Sequence, residues 1–449
     1  MKVFLTLFIF CNSFFCIAQN TSQKKEEKQI LINNVEVFNG KDSKTIKGNV
    51  LIVNNLISKI SSSPIATNES SIVTIIDGKG MFLMPGLIDA HTHIMMEAIP
   101  LHVAFTSDIQ YIDYVAGNAA QKELLRGFTT IRDMAGPSFG LKRAIDEGII
   151  NGPRIYSSGG AIGQTSGHSD YNPINEVPRP EGSQLSFMER NNFGIIADGA
   201  DQVLLRTREQ LKLGATQIKL MAGGGVSSNF DPLDVTQYTL AEFKAAVDAA
   251  TNWGTYVTVH AYTPDAIKVA VEAGVKCLEH GQLMDEATAK LLADKGVWLC
   301  LQPFLDDQDV TPFMPESMNR KKQIEMTKGT DKAYKLAKKY KIKTAFGTDC
   351  LFDSKLTERQ GAQLAKLINW YTPFEILKMA TSTNAELLAM SGKRNPYQEG
   401  KLGVIEEGAY ADLLLINKNP LEDINVVENP GENFVLIMKD GIIYKNTIK

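Results

Sequence analysis

Apolar positions in the middle of the chain fall into short runs, and each run is followed by a stretch with helical spacing. The runs are "GLIDAHTHI", "FTTIRDMAG", "PRIYSSGGAI", "QIKLMAGGG", "YVTVHAY", "VKCLEHG", "VWLCLQP" and "KTAFGTDC". Runs of this length bounded by Gly and Pro read as buried strands, and their alternation with amphipathic segments reads as repeated strand–helix units. Eight such units close a parallel (β/α)8 barrel, the TIM-barrel architecture of the α/β class. Several of the intervening helices run into a glycine just before the next strand, at Gly127, Gly214, Gly254, Gly274 and Gly296. That is where a left-handed cap is expected.

The two ends follow a different pattern. Segments such as "VLIVNNLISKI" and "NFVLIMKDGIIYKN" are β-rich, with hairpin signals at Asn54-Asn55 and Asp440-Gly441. They predict one small β-sandwich-like domain assembled from both termini, residues 30–83 and 396–449, around a barrel spanning 84–395. The connection from Gly163 to Val203 is long and rich in Pro, Gly and Asn. It follows the third strand, which places it over the barrel's active face.

Composition narrows the partners. With 44% hydrophobic and 22% charged residues and a net charge of −4, the chain reads as globular and has no basic footing for nucleic acid. A small-molecule partner is expected, and composition is compatible with a monomer or a homo-oligomer. Residues 1–18 carry Lys2, an apolar run from Val3 to Phe10, and then Cys16 and Ala18. This is the layout of a signal peptide cleaved after Ala18, too short for a membrane span, with residues 19–29 as a polar linker. The mature protein is then expected to be extracytoplasmic, periplasmic or secreted. Neither "FIFC" nor "SFFC" has the small residues that lipid anchoring at a cysteine would need. Three cysteines would remain after cleavage, Cys277, Cys300 and Cys350, so no disulfide framework is implied.

The candidate chemistry lies at the ends of the predicted strands. His91 and His93 end the first, Lys219 is in the fourth, His260 and His280 end the fifth and sixth, and Asp349 ends the eighth. Residues i and i+2 of a strand point to one side, so His91 and His93 can share a cation at the barrel mouth. Imidazole together with carboxylate suits zinc and similar divalent ions.

Taken in order, "PGLIDAHTH", "IKLMAGGG", "VTVHAY", "LEHG" and "FGTD" resemble the amidohydrolase superfamily over essentially the whole mature chain. The likeness is greatest to the branch with Xaa-Pro dipeptidases and ochratoxin-type amidases. The resemblance implies two metal ions: His91, His93 and Asp349 on one, His260 and His280 on the other. Lys219 would bridge them as a carbamate formed with CO2, since a protonated lysine has no lone pair to ligate with. It further implies a small amide or dipeptide substrate, a metal-bridging hydroxide as nucleophile, and Asp349 as proton shuttle. His168 in "SGHSD" and Tyr262 in "HAY" match positions that bind a substrate carboxylate, although Ser169 departs from the Gly-His-Gly pattern of that branch.

Two rival readings stand beside this one. A mononuclear cyclic-amide hydrolase or deaminase of the imidazolonepropionase type would need one ion and would leave Lys219 idle. A catalytically silent metal-dependent binding protein would keep the ligands without turnover. Of the remaining polar residues near the mouth, Asp89, Arg132 and Asp133 suit supporting hydrogen bonds better than ligation. Cys350 has no free histidine to act with and suits packing. Gly223–Gly225 would let backbone approach a substrate.

Overall fold

The computed structural model describes residues 27–68, 71–179 and 182–448. The expected leader over residues 1–18, and most of the linker after it, lie outside the described residues. Among the described residues no helix is long and apolar enough to cross a membrane.

Every apolar run forms a strand, and neighbouring strands pair in parallel. Leu87–Thr92 pairs with Phe128–Asp133, and that strand with Arg154–Ser157. Ala161–Gly163, Ile218–Met221, Val257–Ala261, Cys277–His280, Trp298–Leu301 and Thr344–Phe346 follow one another across the rest of the wall. The third run is therefore one strand in two pieces, broken around Gly159-Gly160, with each half serving a different neighbour. Alternation along the strands sets what faces where. Leu220, Val259, Leu278 and Leu299 pack outward into one apolar core with Phe243, Ile267, Leu292 and Tyr334 of the surrounding helices. The residues between them, Lys219, His260, Glu279 and Cys300, are left to the barrel interior.

The long connection after the third strand has more structure than its composition suggests. Ser186 caps a short helix, Phe187–Arg190, through a reciprocal box with Glu189. Gly194–Ile196 then adds a parallel strand beside Ala161–Gly163.

Strands from both termini form a single eight-stranded sheet. Leu413–Ile416 runs antiparallel to Phe82–Pro85 and joins the two contributions. Lys28–Val37 pairs with Ile72–Asp77 over its first half and with Phe82–Leu83 at its end. This change of partner next to Asn34, whose φ is +54°, is the device by which a strand turns a sheet corner. Both predicted hairpins are present, joining Ile46–Val53 to Leu56–Ser61 and Phe434–Lys439 to Ile442–Asn446.

The barrel seam is closed by side chains. Between Thr344–Phe346 and Leu87–Thr92, the Asn384 amide accepts from Phe346 N at 3.0 Å and donates to Ile88 O at 2.7 Å and to Phe346 O at 2.8 Å. Asp89 continues the seam, accepting from the backbone N–H of Thr348 at 3.1 Å and of His91 at 3.0 Å. Asn384→Ala would leave these buried backbone groups unpaired, and each orphan costs about 1–3 kcal/mol. We expect it to lower unfolding stability in denaturant titration by on the order of 3 kcal/mol or more, although Asn384 is outside the cavity lining.

Candidate active site

The strand ends bring the predicted residues to one place. His91, His93, Lys219, His260, His280 and Asp349 line a single cavity at the C-terminal mouth of the barrel. Neighbouring imidazoles touch in an arc: ring centroids are 5.2 Å apart for His93 and His91, 5.0 Å for His91 and His280, and 4.5 Å for His280 and His260. Asp349 closes the arc, with Oδ1 3.0 Å from His93 Nε2 and 3.3 Å from His91 Nε2, and Oδ2 3.9 Å from His280 Nδ1.

Hydrogen bonds behind the rings decide which nitrogen carries the proton. His91 Nδ1 is 2.8 Å from a Glu279 oxygen, so that nitrogen donates and Nε2 keeps its lone pair for the cavity. His260 Nε2 lies 3.1 Å from the carbonyl of Gly224, which can only accept, so Nδ1 is the unprotonated atom. Gln302 gives its Nε2 to Cys300 O and turns Oε1 to His280 Nδ1 at 2.7 Å, leaving Nε2 of His280 free. On each of the three rings one nitrogen is thus engaged by an outer partner, the usual arrangement around a protein-bound metal.

Glu279 is the central support. Arg132 Nη2 donates to its two oxygens at 2.7 and 2.9 Å, and the Cys277 thiol donates at 3.2 Å. Burial opposes its ionisation, but Arg132 and His91 outweigh burial and hold the carboxyl well below the usual range. Its oxygens are committed, so it orients His91 and does not ligate, even though Cys300, His91 and Glu279 approach one another closely.

Two site residues take backbone conformations that non-glycine residues rarely adopt. His280 has φ +79° and Asp349 φ +50°. Each costs on the order of 1–3 kcal/mol and persists where surrounding contacts enforce it. For Asp349 one such contact is its own N–H, which donates to His91 O at 2.8 Å.

The donor set fits divalent ions. His91 Nε2 and His93 Nδ1 are buried with no hydrogen-bond partner, and ligand atoms of His91, His280 and Asp349 lie within 4.8 Å of one another. Burial drives His260 and His280 well below the usual imidazole range and lowers His93, favouring the neutral form that binds metal. Burial resists ionisation of Asp349, but the facing imidazoles prevail and hold it well below the usual carboxylate range. Burial also lowers Lys219. Its ammonium has no hydrogen bond or ion pair among the described residues.

Residues 82–443, which include all eight barrel strands, match the amidohydrolase family. The chain belongs to that family. Ochratoxinase of Aspergillus niger is 32% identical over 391 residues, covering 81% of this chain and 75% of ochratoxinase. A prolidase solved with N-methylphosphonate-L-proline superposes with a TM-score of 0.83 at 31% identity, covering 93% of this chain and 100% of its own. An Xaa-Pro dipeptidase with methionine in its active site gives a TM-score of 0.79 at 28% identity, over 93% and 100% of the two chains. This amidohydrolase is a hydrolase acting on carbon–nitrogen bonds, and its superfamily generally uses divalent metal ions.

The expected substrate-binding residues of this amidohydrolase also reach the cavity. The His168 ring lies 4.1 Å from that of His260, and Tyr262 packs against His260 and His280. Tyr171, from the long connection, joins them and carried no signal in the sequence. Neither phenol is hydrogen-bonded among the described residues, and burial pushes Tyr171 up to about 12 and Tyr262 well above its ordinary value. Both therefore stay protonated and able to donate near neutral pH. Tyr262 packs into an apolar part of the lining built by Val226, Phe304, Val310, Phe313 and Met326.

The glycine run makes room for groups of the chain itself. A Cβ on Gly225 would stand 1.8 Å from His168 Nδ1, and one on Gly224 would stand 1.8 Å from the Pro232 carbonyl. The missing side chains are filled by His168 and by the chain's own loop. The remaining mouth residues are supports, as expected. Arg132 holds Glu279, Asp89 holds the seam, and Cys350 is buried where Gln363 Nε2 donates to it at 3.2 Å.

Asp133 accepts from Ser138 Oγ at 2.6 Å and from Ile94 N at 3.0 Å, yet burial outweighs both and lifts it to about 8. A raised carboxyl binds its proton in the folded state when the unfolded state has already lost it. It therefore lowers stability as pH rises from the unfolded value near 4 through about 8. Measured against Asp133→Asn across that window, wild type should lose roughly 1.4 kcal/mol per pH unit. A parallel pH dependence of the two unfolding free energies would rule this out.

Proposed function

We propose that this amidohydrolase cleaves the amide bond of a dipeptide or N-acyl amino acid, using two divalent ions held by His91, His93, Lys219, His260, His280 and Asp349. Zinc suits these donors best. The observation that carries the reading is that His91, His260 and His280 line one cavity and that on each a hydrogen bond engages one ring nitrogen and leaves the other free.

Divalent ions held by these residues would bring the pKa of a bound water down toward about 7 and would polarise the scissile carbonyl. The residues of the chain do the rest. Asp349, ionised and beside the cavity, takes the proton released on attack and returns it to the leaving nitrogen, which an amide requires. Burial shifts Lys219 toward the neutral amine, the form that adds to CO2. The amine nitrogen bonds to carbon and releases one proton, giving a carbamate with two oxygens to share. His168 and Tyr262 hold the substrate's carboxylate, and the apolar wall takes its side chain. The ligands of the two structural relatives, proline-based in one and methionine in the other, support an amino acid as part of the substrate. We also propose that the protein acts outside the cytoplasm after removal of the leader.

The test is product release by zinc-loaded and chelator-stripped protein from dipeptides, N-acyl amino acids and cyclic amides, each linear substrate paired with its carboxamide. Metal-dependent release of an amino acid from the free-carboxylate members supports the reading. Turnover of cyclic amides alone overturns it.

A further inference from the structure

Behind His168 lies a buried polar relay that the cleavage chemistry does not use. His168 Nδ1 is 2.6 Å from Ser228 Oγ. Ser228 Oγ donates to Asp231 Oδ2 at 2.7 Å, so the hydroxyl is left to accept from the ring, and Nδ1 is the nitrogen that carries hydrogen. Nε2 is then the ring atom left for the cavity. Asp231 Oδ2 also accepts from Gly225 N at 2.7 Å, and Oδ1 faces the Lys322 ammonium at 3.5 Å.

Lys322 is an unusual residue to bury, and all three of its N–H bonds are spent on the same loop. It donates to the carbonyls of Gly225 at 2.9 Å, Ser228 at 2.9 Å and Asp231 at 2.7 Å. One turn earlier, Asn319 Nδ2 donates to Val226 O and Ser228 O. The helix that carries both residues, Met318–Tyr340, thus clasps the 225–231 loop, and that loop fixes the ring of His168 against the bare Cα of Gly225. The same helix sends Gln323 and Met326 into the cavity wall. One rigid element therefore sets both the polar and the apolar side of the substrate pocket.

We propose that Ser228, Asp231 and Lys322 are positioning residues that hold His168 over the carboxylate end of the substrate, and so set affinity for that end without acting in bond cleavage. The proposal rests on the amide-hydrolase reading of the cavity. Fixed donors behind a contact residue matter because a contact displaced by about 1 Å loses much of its effect.

Two variants and two readouts test it. Ser228→Ala removes only the relaying hydroxyl, and Asp231→Asn keeps the shape while removing the charge. For a free-carboxylate substrate each should raise KM by about 10-fold or more, with kcat within about 3-fold and metal content as in wild type. The KM of the matching carboxamide should move far less. Separately, ¹⁵N spectra of the imidazoles, with His168 assigned through His168→Gln, should show hydrogen on Nδ1 in wild type and a redistributed tautomer in Ser228→Ala. Equal losses in kcat for both substrates would mark a merely structural role and overturn the proposal. A His168 spectrum unmoved by Ser228→Ala overturns it whatever the enzyme hydrolyses, whereas a moved spectrum without amide turnover in wild type would fault the amide-hydrolase reading instead.

Discussion

Asp349→Asn should lower kcat by about 10²–10⁴-fold, the range lost when a positioned proton carrier is removed, while the protein should keep at least part of any bound metal. The side chain lies 3.0 Å from His93 and 3.3 Å from His91, and its backbone is pinned to His91 O, so asparagine can occupy the same space. What asparagine cannot do is accept a proton. A carboxyl whose pKa does not rise above the ordinary value of about 4 is ionised throughout the neutral range in wild type. The loss should therefore appear in kcat and kcat/KM together, with metal content followed by elemental analysis of the same samples. An Asp349→Asn enzyme with near wild-type turnover would remove Asp349 as the proton carrier.

Lys219→Ala should reduce bound zinc from two ions per chain to one or fewer and cost at least about 10² in turnover, the scale of losing a catalytic group. Lys219 is buried and lines the same cavity as the histidines, and its amine makes no hydrogen bond or ion pair among the described residues. A cation held there without a partner would be costly. Conversion to a carbamate removes the positive charge and supplies two acceptor oxygens. Wild-type protein equilibrated with ¹³C-bicarbonate should accordingly show a carbamate carbon resonance that Lys219→Ala lacks. A mononuclear cyclic-amide hydrolase or deaminase predicts the contrary result: one ion in both proteins, and activity indifferent to the substitution.

Periodicity made the barrel legible because its strands are buried on both faces and separated by strong punctuation. Leu220, Val259, Leu278 and Leu299 pack outward while their neighbours turn inward, and glycine caps mark most returns, Lys341 taking that place before Thr344–Phe346. The six central residues stood out because imidazole, lysine and carboxylate are rare at strand ends that should otherwise be apolar. What was missed lies where local pattern carries no charge or distance information. Glu279 sits beside His280 in "LEHG", and simple alternation sends it away from the histidine. The positive φ of His280 ends that alternation, and the carboxylate instead supports His91 from a strand far away in sequence. Gln302 and Tyr171 are single polar residues whose partners come from other elements. The glycine run at 223–225 was visible, but its reason was not. Only the folded chain shows that His168 fills the space beside Gly225.

The most direct test of the account is a titration of zinc into chelator-stripped wild-type protein, followed by the initial rate of amino-acid release from a linear N-acyl amino acid. The account predicts a rate that climbs until two equivalents have been added per chain and then levels. Saturation at one equivalent, or no amide cleavage at any zinc level, would contradict it.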